Sequence, residues 1–188
     1  MLTLILGGAR SGKSSFAQSL CRASQRVAYL ATALSEDDEM QARISRHRSD
    51  RPSQWTTFEE PLRIADLVYR EALAFDAMLL DCLTLWLSNW CWEYRNQSVE
   101  QIESSVLAEI GRLSIVSQNV HLVAVSNEVG CGIVPQSQVA RQFRDLQGMM
   151  NQNVAGKAQA VYHMVAGIPV LIKPSAVPSL QGIEDLHG

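Results

Sequence analysis

Short apolar runs recur along the chain and are separated by more polar segments. The runs at 2–6, 26–32, 77–81 and 121–126 are nearly continuous in apolar residues, which is typical of strands covered on both faces of a parallel sheet. A shorter strand is predicted at 54–59. The last two strands, at 160–167 and 169–173, are expected to form an edge hairpin around Gly167 and Pro169.

The intervening segments have helical spacing. Apolar positions recur every three or four residues in 61–74, 99–117 and 138–158, and a helix is also predicted directly after residue 12. Ser35 and the acids that follow it predict a helix start, and Pro52 closes that segment. Alternating strands and helices predict an α/β domain with a mostly parallel sheet flanked by helices, spanning residues 1–173. Residues 174–188 are predicted to be a loosely ordered tail.

The first strand leads into GGARSGKS, residues 7–14, with the spacing G-x-x-x-x-G-K-[ST]. Glycines at these places free backbone N–H groups to surround a polyphosphate, while Lys13 neutralises its charge and Ser14 offers a hydroxyl to Mg²⁺. A helix starting at Lys13 adds its positive dipole end. The strand before and the helix after the motif are its required context, so the predicted fold is P-loop NTPase-like.

Composition narrows the class of partner. The formal net charge of -3 over 188 residues argues against a nucleic-acid partner, which normally requires a basic face. No apolar run approaches the roughly 18 residues that span a bilayer, and no basic leader precedes the first apolar run, so a cytoplasmic protein is expected. The four cysteines have no metal-ligand spacing and are expected to be reduced.

Asp81 ends the strand at 77–81, at the edge where open α/β sheets bind their ligands. It is interpreted as the acidic partner of the phosphate loop, holding Mg²⁺ beside Ser14. The alternative is an aspartate that caps the following helix.

His47 lies in a cationic segment, with Arg43 four residues before it and Arg51 four after. On a helix the three side chains share one face, where the arginines would keep the imidazole neutral and bind phosphates. A neutral imidazole can attack phosphorus. Composition alone favours the other interpretation, a solvated helix end with an uninvolved histidine.

Two further segments have alternative interpretations. Residues 82–94 hold three of the four tryptophans and are predicted to form a helix that is apolar on more than one face, in the core or in a subunit contact rather than as a base-stacking platform. The loop NEVGCGIVPQS, residues 127–137, is either a substrate-side or interface element or a plain turn.

Six segments taken together resemble one family. They are GGARSGKS, YLAT, DDEMQARISRHRSDRP, LLDCLTLWLSN, SNEVGCGIVP and ARQFRDLQGMMNQ. In this order they resemble the bifunctional enzymes of cobalamin biosynthesis, adenosylcobinamide kinase / adenosylcobinamide-phosphate guanylyltransferase. The resemblance runs from about residue 2 to residue 173, and the strings around His47 and Glu128 are its most specific parts.

The resemblance implies two reactions. The first is phosphorylation of adenosylcobinamide by ATP or GTP. In the second, a histidine that matches His47 attacks GTP and holds GMP until the corrinoid phosphate accepts it. The triphosphate then lies on Gly7, Gly8, Ala9, Arg10, Ser11, Gly12, Lys13 and Ser14. The other nucleotide-binding positions it implies are Thr32, Ala33, Leu34, Arg48, Ser49, Asp50, Arg51, Glu59 and Asp81.

The expected assembly is a homo-oligomer, most simply a trimer, as the tryptophan-rich helix and the resemblance indicate. Two other functions remain open. One is a small-molecule kinase without a covalent step, and the other is a nucleotide-dependent regulatory or assembly protein.

Overall fold

A seven-stranded sheet organises the computed structural model, which describes residues 1–34 and 51–174. The strands are β1 Leu2–Gly7, β2 Val27–Ala31, β3 Thr56–Glu59, β4 Ala77–Asp81, β5 His121–Val125, β6 Ala160–Val165 and β7 Ile168–Lys173. Their order across the sheet is β3-β2-β4-β5-β1-β6-β7. All neighbours are parallel except β6 and β7, which pair antiparallel. The predicted fold class is confirmed.

Five α-helices connect the described strands. They are α1 Lys13–Cys21, α2 Ile64–Glu71, α3 Leu83–Glu93, α4 Val99–Val116 and α5 Gln138–Lys157. Short 3-10 turns follow α2 at Ala72–Ala74 and α4 at Ser117–Asn119. Within the described ranges, no helix is both long and apolar enough to cross a bilayer.

The sheet separates two apolar cores. One contains Ala17 and Cys21 of α1, packed on side chains such as Ile5 and Val123. The other, larger core packs α2, α3, α4 and α5 against the opposite face. Strands buried on both faces explain why β1, β4 and β5 are nearly continuous in apolar residues.

The strand and helix predictions agree with the structure except at element ends. Strand β2 is one residue shorter at each end than predicted, and the last turn before β5 is 3-10 rather than α-helical. The hairpin turn needs a larger correction, because Pro169 lies within β7, paired with Met164, and the turn is made by Ala166 and Gly167. Both turn residues have positive φ, 50° and 84°, as tight β-hairpins require.

Two predictions fall on residues that are not described. The helix expected after Ser35 lies at 35–50, and the tail lies almost entirely at 175–188. The division into a domain at 1–173 and a tail at 174–188 therefore remains a prediction.

Helix α3 packs mainly into the core of its own chain, one of the two places predicted for it. Trp86 is fully buried and its indole Nε1 donates to the carbonyl of Leu62 over 2.7 Å. Trp90 donates to the same carbonyl over 3.1 Å, and only Trp92 is exposed. The tryptophans therefore serve mainly to fix the segment after β3.

Candidate active site

The phosphate loop begins where β1 ends and closes where α1 begins. Gly7 and Gly12 have φ angles of 150° and 92°, which side-chain-bearing residues rarely adopt. A Cβ on Gly7 would also lie 2.7 Å from Ser11 Oγ and 2.8 Å from the Met164 carbonyl oxygen. Only glycine fits at Gly7, so the tight turn after β1 depends on it.

Helix α1 presents an uncapped N-terminus to this loop. Its N-cap is Gly12, which has no side chain to cap the helix. The backbone N–H groups of the first turn and the positive end of the helix dipole favour an anion here. Ser14 is the second residue of the helix, at the mouth of the loop.

Lys13 is buried inside the loop rather than extended into solvent. Only 7% of the residue is exposed, and its Nζ donates to the Gly8 carbonyl over 2.6 Å. A cation held in this way places positive charge on the phosphate-binding surface.

Asp81 faces the same edge of the sheet from the end of β4. Its Oδ2 accepts a hydrogen bond of 2.7 Å from the hydroxyl of Tyr29. The alternative of a helix cap is wrong, because the N-cap of α3 is Cys82 and no side chain caps it. The carboxylate is therefore fixed at the edge by a side chain from β2, the neighbouring strand.

Arg51 adds a cation above this pair. Its guanidinium carbon lies 3.4 Å from the centroid of the Tyr29 ring, a stacked cation–π contact. Its Nε and Nη1 are buried and have no hydrogen-bond partner in the part of the chain that the structure describes. Burial and the charge of Asp81 raise the pKa of Tyr29, so its hydroxyl keeps its proton and donates to Asp81.

Thr32 contributes to the site through the backbone of Cys82. Its hydroxyl is fully buried, donates to the Cys82 carbonyl over 2.8 Å and accepts from the Cys82 N–H over 2.9 Å. The Thr32 carbonyl accepts from Asn89 Nδ2 over 2.7 Å. The ends of β2 and β4 are therefore tied to each other and to α3.

Cys82 itself is not a reactive thiol. Burial, together with the charge of Asp81, raises its pKa to about 11. Because the thiolate is the nucleophilic form, Cys82 is inert near neutral pH.

A cavity of about 390 Å³ lies beside β3 and the segment that precedes it. It is lined by Arg51, Pro52, Ser53, Trp55, Thr57 and Glu59. Its size falls within the range of small-molecule pockets, and it combines an indole with two opposite charges.

The predicted site residues that the structure describes gather at one edge of the sheet. Residues 7–14 follow β1, residues 32–34 follow β2, and Glu59 and Asp81 end β3 and β4. Ala33 is half-buried and Leu34 exposed beyond the end of β2. His47, Arg48, Ser49 and Asp50 lie outside the described residues.

A magnesium ion is compatible with the groups at this edge. Ser14 lies in the first turn of α1, which follows β1, and Asp81 ends β4, and only β5 separates β1 from β4 in the sheet. No group of three or more His, Cys, Asp or Glu that could hold a metal occurs in the described residues. Mg²⁺ typically uses one or two protein ligands and completes its shell with water and phosphates. One hydroxyl and one carboxylate fit that pattern.

Tyr29 is a site residue that was not predicted from the sequence. It lies within a buried strand, where aromatic residues are common, and its contact with Asp81 depends on β2 lying next to β4. The available signal was chemical, since a buried tyrosine hydroxyl normally needs a hydrogen-bond partner.

Two other histidines are placed differently with respect to this edge. His121 starts β5 at the opposite edge of the sheet, where its Nε2 is 3.1 Å from Thr3 Oγ1. His163 is paired with Leu6 in the register of β1 and β6, one residue before the phosphate loop.

Comparison with known proteins gives a consistent family. The sequence model of the cobinamide kinase / cobinamide phosphate guanyltransferase family matches residues 3–172. The bifunctional adenosylcobalamin biosynthesis protein CobU of Escherichia coli is 40% identical over 181 residues, covering 92% of this chain and 100% of that protein. The bifunctional adenosylcobalamin biosynthesis protein CobP of Pseudomonas aeruginosa is 41% identical over 174 residues, covering 92% and 98%. CobU of Salmonella typhimurium is 38% identical over 181 residues.

Proposed function

The chain belongs to the cobinamide kinase / cobinamide phosphate guanyltransferase family, and we propose that it catalyses both reactions in that name. It phosphorylates adenosylcobinamide with ATP or GTP and then transfers GMP from GTP to the phosphate. The observation that carries this proposal is the buried Lys13 beside the uncapped N-terminus of α1, at the same edge as Asp81.

In the kinase reaction the triphosphate lies along residues 7–14. The loop N–H groups and Lys13 neutralise its charge, which is the main contribution a protein makes to phosphoryl transfer. Ser14 and Asp81 hold Mg²⁺, which when bound offsets the charge of the β- and γ-phosphates. The corrinoid hydroxyl oxygen bonds to the γ-phosphorus as the bond from that phosphorus to the bridging oxygen breaks, so the nucleoside diphosphate leaves and the hydroxyl proton passes to solvent.

In the guanylyl transfer His47 is the nucleophile. Its neutral imidazole nitrogen bonds to the α-phosphorus of GTP, and pyrophosphate leaves. An oxygen of the corrinoid phosphate then bonds to that phosphorus as the phosphorus–nitrogen bond breaks, which frees His47. A covalent intermediate divides one difficult transfer into two easier displacements.

The remaining nucleotide contacts are assigned to Thr32, Ala33, Leu34, Arg48, Ser49, Asp50, Arg51, Glu59 and Asp81. Support comes from the cavity of about 390 Å³ that Arg51 and Glu59 line. Nε and Nη1 of Arg51 have no hydrogen-bond partner among residues 1–34 and 51–174, and a guanidinium binds phosphate or carboxylate oxygens well. Thr32 acts through the backbone that it fixes, because its hydroxyl is bonded to Cys82 and its carbonyl accepts from Asn89.

The cytoplasm is the expected location, because both reactions consume nucleoside triphosphates. The four cysteines of the chain are free thiols, as expected in a reducing compartment.

Incubation with GTP labelled at the α-phosphate tests the function. We expect an acid-labile label on the protein that adenosylcobinamide phosphate removes, and corrinoid-dependent consumption of ATP. Corrinoid-dependent phosphorylation without labelling would instead support the plain small-molecule kinase. Nucleotide turnover indifferent to corrinoids would support a regulatory or assembly protein.

A homotrimer is proposed for the assembly. The support from the structure is the apolar β6–β7 hairpin, where Val165, Ile168, Val170, Leu171 and Ile172 are 45–65% exposed. Helix α3 contributes less than its sequence indicated, because only Trp92 of its tryptophans is exposed. Light scattering should return three times the chain mass of 20.8 kDa, and Ile172→Glu should lower that mass. A monomeric wild-type protein at micromolar concentration would contradict the proposal.

A further inference from the structure

A fully buried polar cluster lies where β5 ends, and it has no part in the mechanism above. It consists of Ser126, Gln147 and Asn151, which are at most 4% exposed. Ser126 Oγ donates to Asn151 Oδ1 over 2.7 Å, and Gln147 Nε2 donates to both of those oxygens over 2.9 and 3.0 Å. We call these three residues the β5-end cluster.

The cluster and Thr84 together fix the backbone of Asn127. Asn151 Nδ2 donates to the Asn127 carbonyl over 3.0 Å. On the other side, the Asn127 N–H donates to Thr84 Oγ1 over 2.8 Å. Both polar backbone groups of Asn127 are therefore held by side chains, from α5 and from α3.

This fixed residue lies between the phosphate loop and Asp81. The ladder with β1 continues past the end of β5, because Ser126 N–H donates to the Ile5 carbonyl and Glu128 N–H to the Gly7 carbonyl, over 2.9 and 3.0 Å. On the other side, Val125 is paired with Asp81. Along the direction of the strands, Asn127 therefore lies two residues beyond Asp81 and beside the start of the phosphate loop.

Alternation along β5 predicts which face the Asn127 side chain takes. Val123 and Val125 pack in the core that contains Ala17 and Cys21 of α1. Continuing this alternation places the carboxamide of Asn127 on the face of α1, whose N-terminus forms the phosphate site. Asn127 is half-buried, and its side-chain amide makes no hydrogen bond to residues in the described ranges.

The β5-end cluster is less favourable in the core than apolar side chains would be. Gln147 Oε1 is buried without a hydrogen-bond partner among the described residues, and a buried polar group left unpaired destabilises the fold. Apolar side chains of similar size would avoid this cost but would leave the Asn127 carbonyl unheld. What the polar cluster provides, and an apolar core would not, is therefore the fixed position of Asn127.

We propose that Asn127 is a further catalytic residue, whose side-chain amide donates a hydrogen bond to a γ-phosphate oxygen during phosphoryl transfer. The inference rests on the kinase activity proposed above. A donor aimed at developing phosphate charge stabilises the transition state without gaining or losing a proton. Ser126, Gln147 and Asn151 are positioning residues for it.

Asn127→Ala and Asn127→Asp test the proposal, with the exposed Asn96→Ala as control. We expect Asn127→Ala to lower kcat for corrinoid phosphorylation about 10²-fold while the KM for ATP changes little. Asn127→Asp should lose at least as much, because it replaces the donor with a negative charge. Asn96→Ala should match the wild type.

The relative activities of Asn127→Ala and Asn127→Asp distinguish a catalytic role of Asn127 from a packing role. A packing role predicts that the isosteric Asn127→Asp stays near wild-type activity, a result that would overturn the proposal, as would Asn127→Ala within threefold of wild type. If Asn127→Ala fails to fold, the isosteric variant alone decides. A wild-type protein without corrinoid phosphorylation would instead refute the proposed function, independently of Asn127.

Discussion

Replacing Thr32 by valine should destabilise the protein although the two side chains have nearly the same shape. The Thr32 hydroxyl makes two hydrogen bonds, of 2.8 and 2.9 Å, to the Cys82 carbonyl and N–H in a fully buried place. The variant leaves the Cys82 N–H unpaired, whereas the Cys82 carbonyl still accepts from the Trp86 N–H over 3.1 Å. Because one unpaired buried group costs about 1–3 kcal/mol, we expect a loss of that size in the free energy of unfolding. For a domain of this size that corresponds to a melting temperature about 2–12 °C lower.

Urea denaturation measures this loss directly, provided that the slope m is unchanged. Thr57→Val is the control, because Thr57 is exposed on β3 and surface changes usually stay within about 0.5 kcal/mol. A loss below 1 kcal/mol for Thr32→Val would refute the view that this hydroxyl ties β2 to β4. Asp81 directly precedes Cys82, so the variant should also weaken stabilisation by added GTP.

Two other predictions concern charge. Lys13→Ala should remove most kinase activity, lowering kcat about 10²-fold or more, and should remain folded. The exposed Lys157→Ala is the control and should leave the kinase activity unchanged. Unchanged kinase activity in folded Lys13→Ala would refute the phosphate-loop assignment. Burial, aided by the nearby N-terminal ammonium, lowers the pKa of His121 from its usual 6.5. The unfolded chain therefore binds the proton more readily than the folded one, so the free energy of unfolding should decrease as the pH falls below about 6.5 and should not depend on His121 well above it. His121→Gln should flatten that decline in urea midpoints measured between pH 5 and 8, and an equal decline in the variant would exclude His121 as its source.

The elements and the phosphate loop were predictable because each depends on local pattern. Apolar runs identify β1, β4 and β5 wherever they lie in the sheet, and the glycine spacing predicts the loop from residues that are adjacent in sequence. Pro169 was misplaced because proline is frequent in turns, yet it is also tolerated in an edge strand such as β7.

Contacts across the sheet were not predictable in the same way. The pairing of Tyr29 with Asp81 requires β2 next to β4, and the place of Asn127 requires β5 between β4 and β1. Strand order is a property of the whole fold, and no local spacing encodes it. The buried tryptophans of α3 illustrate the same point, since the Leu62 carbonyl that accepts from Trp86 comes from a segment more than twenty residues earlier.

One chain is proposed to perform both phosphorylation and a covalent guanylyl transfer, with His47 as nucleophile. The direct test is labelling by GTP with the label at the α-phosphate, in the wild type, in His47→Asn and in His163→Asn, where His163 is paired with Leu6, one residue before the loop. We expect His47→Asn to lose the label and the second activity while retaining much of the kinase activity, which needs no imidazole. His163→Asn should be labelled like the wild type. Covalent GMP on His47→Asn, or loss of both activities together in that variant while it remains folded, would contradict the assignment.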